Sequence, residues 1–120
     1  MGGLDRRAEK YSLEVILIVL ALFSSSAYAY TPNELAECRM ASSWLAIVFM
    51  NKGDYQGKKV FDELSEKYFN YVIKHLKKFQ QSEYLDRVNT LNLSYQAMGS
   101  ENGTNYAKSV MSECVKYQLN

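Results

Sequence analysis

The sequence predicts an all-α fold: a small antiparallel four-helix bundle with up-down-up-down topology and one disulfide, preceded by a signal-peptide helix. Three observations predict this class. Apolar residues recur at three- and four-residue steps beyond residue 30. Capping and turn residues divide that pattern into four stretches. No run of Val, Ile and Thr alternates strictly with polar residues, as a half-buried strand would require.

The first 29 residues have the three-part order of a secretory signal peptide. A basic start precedes nine apolar residues, 15–23, and small residues follow, with Ala27 and Ala29 in the positions of an Ala-x-Ala cleavage site. A membrane-spanning helix needs roughly 20 apolar residues, more than this run contains. We therefore predict cleavage after Ala29 and a helical domain over residues 30–120.

An uncleaved anchor is the alternative, because Asp5, Glu9 and Glu14 cancel the positive charge of the start region. In that case residues 13–23 tether the chain to a membrane and are its only membrane contact. Cleavage instead releases the domain into the bacterial periplasm or the extracellular space. Both versions place the domain outside the cytoplasm.

The first helix begins at residues 31–34, where Thr31 and Glu34 form a capping box and proline occupies the first helical position. It ends near Gly53, because glycine readily adopts the left-handed conformation that closes helices. The second helix spans roughly Lys58 to Gln80. Its acidic residues come early and its lysines late, an order that suits the helix dipole.

A third helix starts at a Ser82 cap and ends before Gly99. Residues 100–104 have turn composition, and Thr104 or Asn105 caps a fourth helix. The apolar stripes predicted to form the core are, in chain order, Leu35, Cys38, Ala41, Leu45 and Val48; Val60, Phe61, Leu64, Tyr68, Val72, Leu76 and Phe79; Leu85, Val88, Leu91, Tyr95 and Met98; and Ala107, Val110, Met111, Cys114 and Leu119.

Both cysteines, Cys38 and Cys114, follow the predicted cut, and an even number in an exported chain predicts a disulfide. In an antiparallel bundle the start of the first helix meets the end of the fourth. Cys38 lies six residues after Pro32 and Cys114 six before Asn120, so each is about 9 Å from its helix end. Two buried free thiols are the alternative, and they suit a cytosolic protein.

Charge and motifs exclude several function classes. Lys plus Arg number 14 and Asp plus Glu 13, so the chain lacks the basic excess of a nucleic-acid-binding protein. His75 is the only histidine and lies among lysines, without the further ligands of a zinc site or the orienting carboxylate of a general base. Phosphate loops and nucleophile elbows are absent. We predict no catalytic, metal or cofactor site, and no enzyme.

Tyrosine is the unusual part of the composition, with ten residues in the chain. Tyrosine offers a large rigid contact area with a polar tip, which suits binding surfaces. The alternative is packing at the rim of the bundle, and for the lysines a solvated helix end. The residues predicted for a partner surface are Tyr71, Tyr84, Tyr106, Lys74, Lys77 and Lys78.

These observations favour a small exported protein that binds another exported or envelope protein as an inhibitor, regulator or accessory subunit. One alternative is a carrier that encloses a small apolar ligand. The residues predicted to line the carrier's cavity are Trp44, Phe49, Phe61, Phe69 and Met98. Another alternative is a membrane-tethered envelope protein.

Asn92 and Asn102 begin glycosylation acceptor patterns, which matter only in a eukaryotic source.

Overall fold

A computed structural model describes residues 30–119 as three α-helices without strands: α1 (Pro32–Asn51), α2 (Tyr55–His75) and α3 (Lys78–Cys114). The predicted all-α class is confirmed. The predicted signal peptide, its cleavage after Ala29 and the tether at residues 13–23 lie outside the described residues.

The start of α1 is the capping box that the sequence predicts. The Glu34 backbone N–H donates to Thr31 Oγ1 at 3.1 Å, and the Thr31 N–H donates to Glu34 Oε1 at 2.8 Å. After α1 the chain turns at Gly53, whose φ of 79° is left-handed. Asp54 then caps α2, because its side chain accepts from the Gly57 N–H at 2.9 Å.

The boundary between α2 and α3 differs from the prediction. The second helix ends at His75 and not at Gln80, and Leu76 has extended backbone with φ −93° and ψ 148°. Leu76 nevertheless buries its side chain, so the apolar pattern continues through a break in the helix. Lys77 donates its N–H to the Gln80 side chain at 2.9 Å. Ser82, predicted as the cap, lies inside α3.

The four-helix count is not confirmed, because the predicted third and fourth helices form the single helical element α3. Gly99 is its one non-helical residue, with φ 84° and ψ 175°. A straight helix would place Tyr95 and Tyr106 about 16 Å apart, yet their ring centroids lie 5.5 Å apart. The chain therefore folds back at Gly99, and residues 100–104, predicted as a turn, are helical. We call residues 78–98 the first arm and residues 100–114 the second arm.

The first arm runs along α1 in the same direction. Near its start, Arg39 Nη1 donates to the Tyr84 hydroxyl at 3.0 Å. Eleven residues later, the Tyr95 ring centroid lies 5.2 Å from that of Trp44. Residue numbers therefore increase in the same direction along the first arm and along α1.

The second arm returns along α1 in the opposite direction. Trp44 Nε1 donates to Thr104 Oγ1 at 3.1 Å, and at the last residue of the arm the Cys38–Cys114 disulfide joins Cα atoms 5.7 Å apart. The predicted disulfide is confirmed. Gly103 allows the close approach, because a Cβ there would lie 2.9 Å from Trp44 Cζ2.

Helix α1 is the centre of the domain. It packs against α2 on one side and both arms of α3 on the other, whereas α2 and α3 barely touch. Three residues of the predicted core stripes, Val60, Phe79 and Leu85, are instead more than half exposed. The buried apolar residues are Leu35, Ala36, Cys38, Met40, Ala41, Leu45, Ala46, Tyr68, Val72, Leu76, Tyr84, Leu91, Tyr95, Ala107, Met111 and Cys114.

We expect reduction of the disulfide to lower the free energy of unfolding by roughly 4 kcal/mol, because Cys38 and Cys114 are 76 residues apart and their cross-link restricts the unfolded chain. In a domain of this size the melting temperature should fall by about 15 °C or more. Calorimetry with and without reductant measures the change. A Cys38→Ala/Cys114→Ala double variant is the control, since reductant should leave it unaffected; an unchanged melt of the native chain would contradict the prediction.

Substitution of Gly99→Ala should lower the free energy of unfolding by about 1–3 kcal/mol, because the conformation at φ 84°, ψ 175° is accessible essentially only to glycine. No neighbouring atom lies within 4 Å of the added methyl group, so the loss would be purely a backbone effect. Urea unfolding measures it. Asn102→Ala, an exposed helical position in the same arm, is the matched control and should change stability by less than about 0.5 kcal/mol.

Candidate functional site

The residues predicted for a partner surface do not form one surface. Tyr84 is fully buried in the core, so its side chain is not available to a partner at the surface. Tyr106 lies on the second arm, where its hydroxyl donates to Glu37 Oε1 at 3.1 Å. Tyr71 and Lys74 lie together on α2.

The other two predicted residues, Lys77 and Lys78, lie at the joint between α2 and α3 and are exposed. Burial decides the outcome for Tyr84: its ring fills the core, while its hydroxyl satisfies Arg39. Arg39 also stacks over Phe69, with its guanidinium carbon 4.6 Å from the ring centroid. This group links all three helices.

A polar cluster centred on Glu37 joins α1 to both arms of α3. Arg87 of the first arm donates to Glu37 Oε2 at 3.2 Å, and Tyr106 of the second arm donates to the other oxygen. Because the Glu37 side chain is mostly buried, this ion pair is less screened than one at the surface. The cluster fixes the two arms side by side.

Burial raises the pKa of four tyrosines: Tyr68, Tyr84, Tyr95 and Tyr106. At Tyr106 the negative charge and hydrogen bond of Glu37 add to that effect, and at Tyr95 the same charge does so. At Tyr84 burial raises the pKa while the bond from Arg39 opposes it. The four phenols therefore stay protonated at neutral pH and are unsuited to act as bases.

These raised pKa values make the stability of the domain depend on pH. A phenol whose pKa is higher in the folded state than in the unfolded state contributes stability that is fully present below the unfolded value, about 10. This contribution disappears as the pH rises through the folded value. The domain therefore loses stability in alkali, above about pH 10.

The Tyr95 hydroxyl is buried and has no hydrogen-bond partner among residues 30–119. The Tyr95 ring packs against the rings of Trp44 and Tyr106, whose centroids lie 5.2 Å and 5.5 Å from its own. An unpaired buried hydroxyl costs stability. Here the ring packing offsets that cost.

An uncharged groove of apolar and polar side chains lies where α1 ends and α3 folds back, with a volume of about 330 Å³. Its lining contains no charged side chain, although 22% of the chain is charged. Ile47 is 51% exposed at this groove. The full lining is Trp44, Ile47, Val48, Asn51, Gln96, Gly99 and Ser100.

Two other depressions lie along α2 and differ in charge. The larger, about 680 Å³, has lysines paired with acids one helical turn away, at Lys58–Asp62 and Lys59–Glu63. Such exposed pairs contribute little and are typical of a solvated helix face. The smaller, about 210 Å³, is lined by Lys67, Asn70, Tyr71, Lys74 and Leu119, and includes two of the predicted partner residues.

Residues 30–119 contain no group of three or more His, Cys, Asp or Glu side chains that could hold a metal ion. None of the helices in this part of the chain has the length and apolar character needed to cross a membrane.

Four of the five residues predicted for a carrier cavity, all of them aromatic, are engaged with other side chains. Phe49 stacks on Phe61 with centroids 5.4 Å apart, and Trp44 binds Thr104. Phe69 lies beneath Arg39. These contacts account for the aromatic rings as helix–helix packing, and the carrier hypothesis stays untested.

Comparison of this chain with protein-family models, with curated proteins and with solved structures finds no match. The uncharged groove was missed in the sequence because its walls come from residues about 50 positions apart, such as Ile47 and Gln96. The one local signal was Ile47, an apolar residue outside the predicted core stripe of its helix.

Tyr95→Phe and Tyr84→Phe should have opposite consequences although each removes one buried hydroxyl. Removing the unpaired Tyr95 hydroxyl should leave the free energy of unfolding unchanged or raise it by up to about 1 kcal/mol. Removing the Tyr84 hydroxyl leaves Arg39 without its acceptor and should lower that free energy by about 1–2 kcal/mol. Urea unfolding at neutral pH compares the variants; equal losses would contradict the assignment.

Proposed function

We propose that the protein is a small exported helical protein that acts by binding an apolar segment of another exported or envelope protein in the groove beside Ile47. The observation that carries the proposal is a groove without a charged lining residue on a domain whose other surfaces are rich in charge. A charged partner would lose hydration there without gaining a counter-ion. An apolar partner side chain would bury Ile47 and the edge of Trp44.

The walls of the groove support binding because they are held in place before a partner arrives. The Trp44–Thr104 hydrogen bond fixes the second arm against α1, and the disulfide ties the far end of that arm. A preorganised surface loses little conformational entropy on binding. Gly99 contributes no side chain, which leaves the floor of the groove open.

The disulfide and the predicted signal segment support export. Disulfides persist in oxidising compartments and are rare in the cytosol. Cys38 and Cys114 lie at the same level on adjacent helices and form the bridge. The apolar run at residues 15–23 supplies the route out of the cell in either its cleaved or its tethered form.

A photo-reactive benzoylphenylalanine in place of Ile47 tests the proposal in the source cell. We expect one discrete cross-linked partner, identified by mass spectrometry. The same reagent in place of Val60 is the matched control, because Val60 is 54% exposed but lies on α2 away from the groove. Absence of an adduct at position 47, or the same adduct from both positions, would contradict binding at the groove.

The captured protein then allows an affinity measurement with purified components. Ile47→Lys places a charge in the uncharged groove and should weaken binding about tenfold or more. Val60→Lys adds the same charge elsewhere and should leave the affinity unchanged. Circular dichroism confirms that both variants keep their helices, so a loss of affinity reports on the groove.

A further inference from the structure

A cluster of unpaired lysines marks one end of the domain. Lys67, Lys74, Lys77 and Lys78 lie in a stretch, residues 67–82, that contains no Asp or Glu. The structure pairs none of the four with an acid among residues 30–119. We call these four residues the basic end.

Of the five other lysines in residues 30–119, three are paired locally, and the two unpaired ones, Lys52 and Lys108, lie far apart in the sequence. Lys58, Lys59 and Lys116 each lie within 4.0 Å of a carboxylate three or four residues away. Arg87, which the sequence places near the cluster, is paired with Glu37 and belongs to the core of the α1–α3 contact. The concentration of unneutralised charge is therefore specific to the end of α2 and its joint with α3.

Within residues 30–119, the acids at this end of the domain do not pair with these lysines. Glu34 accepts from the Thr31 N–H in the capping box, and Glu113 pairs with Lys116. Glu83 lines a depression with Arg87 and the start of α1. None of them forms an ion pair with the basic end in the described part of the chain.

Large apolar side chains project among these lysines. Ile73 is 54% exposed and Phe79 is 62% exposed, and they lie at positions next to Lys74 and Lys78. Exposure of apolar side chains beside basic ones is typical of proteins that lie on a lipid surface, with the rings at the headgroup boundary and the lysines at the phosphates. The basic end therefore combines exposed positive charge with exposed apolar surface.

The fold places the basic end beside the entry of the chain into the domain. Phe69 lies beneath Arg39, so the last turn of α2 reaches the level of the start of α1. Glu83, near the start of α3, lines a depression with Thr31. The joint at residues 76–77 is thus at the same end as Thr31, the first residue of the folded unit.

We propose that the basic end is a docking surface for an anionic lipid bilayer, with the four lysines at the headgroup phosphates and Phe79 and Ile73 at the acyl-chain boundary. The exposed Phe79 and Ile73 favour a bilayer over an acidic protein, because apolar side chains beside lysines match an acyl-chain boundary below anionic headgroups. Where the predicted N-terminal segment stays attached and inserted, the seven residues 24–30 span at most about 25 Å between the apolar run and Thr31, so Thr31 lies within that distance of the lipid.

A Phe79→Trp variant of the full chain reports this docking directly, because lipids with brominated acyl chains quench a tryptophan that reaches them. We expect stronger quenching in phosphatidylglycerol-containing vesicles than in pure phosphatidylcholine vesicles, beyond the background from Trp44 in the native chain. Adding Lys74→Gln/Lys77→Gln/Lys78→Gln should lower the ratio of docked to free protein about 100-fold, since each lysine near an anionic surface contributes about a factor of five.

The matched control removes the same number of charges at other positions, with Lys52→Gln/Lys58→Gln/Lys59→Gln in the Phe79→Trp background. It should keep the quenching, whereas an equal loss from both triple variants would overturn the site. Equal quenching in neutral and anionic vesicles would also overturn it.

Binding to soluble polyglutamate without quenching in either vesicle would assign the surface to an acidic protein. An Ile47→Lys change should leave the quenching intact, which separates this docking from the proposed groove.

Discussion

The structure depends on α1 being covered on two sides by helices that scarcely meet each other. Its buried residues include Ala36, Ala41, Ser42 and Ala46, whose small side chains let the neighbouring helices approach closely. Removal of this apolar surface from water is the main favourable term for the domain. Since α2 and α3 have few mutual contacts, neither would retain a core without α1. The Cys38–Cys114 disulfide ties this central helix to the end of α3, the last helix along the chain.

Tyrosine contributes to that core in a way that composition alone could not settle. The sequence assigned Tyr84 to a surface and Leu85 to the core, and the structure reverses the two. Tyr84 precedes Leu91 by seven residues and Tyr95 by eleven, so all three share one helical stripe. A phenol suits both an interface and a core, and only the position of Arg39 decides that the Tyr84 hydroxyl is satisfied inside.

Features set by nearby residues were predictable, and features set by tertiary packing were not. The Thr31–Glu34 capping box and the disulfide follow from local hydrogen bonding and from the antiparallel return of the chain. The break at Leu76 was hidden, because its side chain continues the apolar period while its backbone is extended. Gly99 was recognised as an end. The sequence could not show that helix resumes at once beyond it, since the residues there have turn composition. The groove is a consequence of that fold-back.

The proposed groove and the proposed basic end lie toward opposite ends of α1. The groove is lined by residues from Trp44 to Asn51, whereas the basic end is level with Thr31. A helix of 20 residues is about 30 Å long. With the basic end docked on a bilayer and α1 along the bilayer normal, the groove would lie about a helix length away from the lipid. The two surfaces thus suit one protein that binds a partner at a fixed height above a membrane.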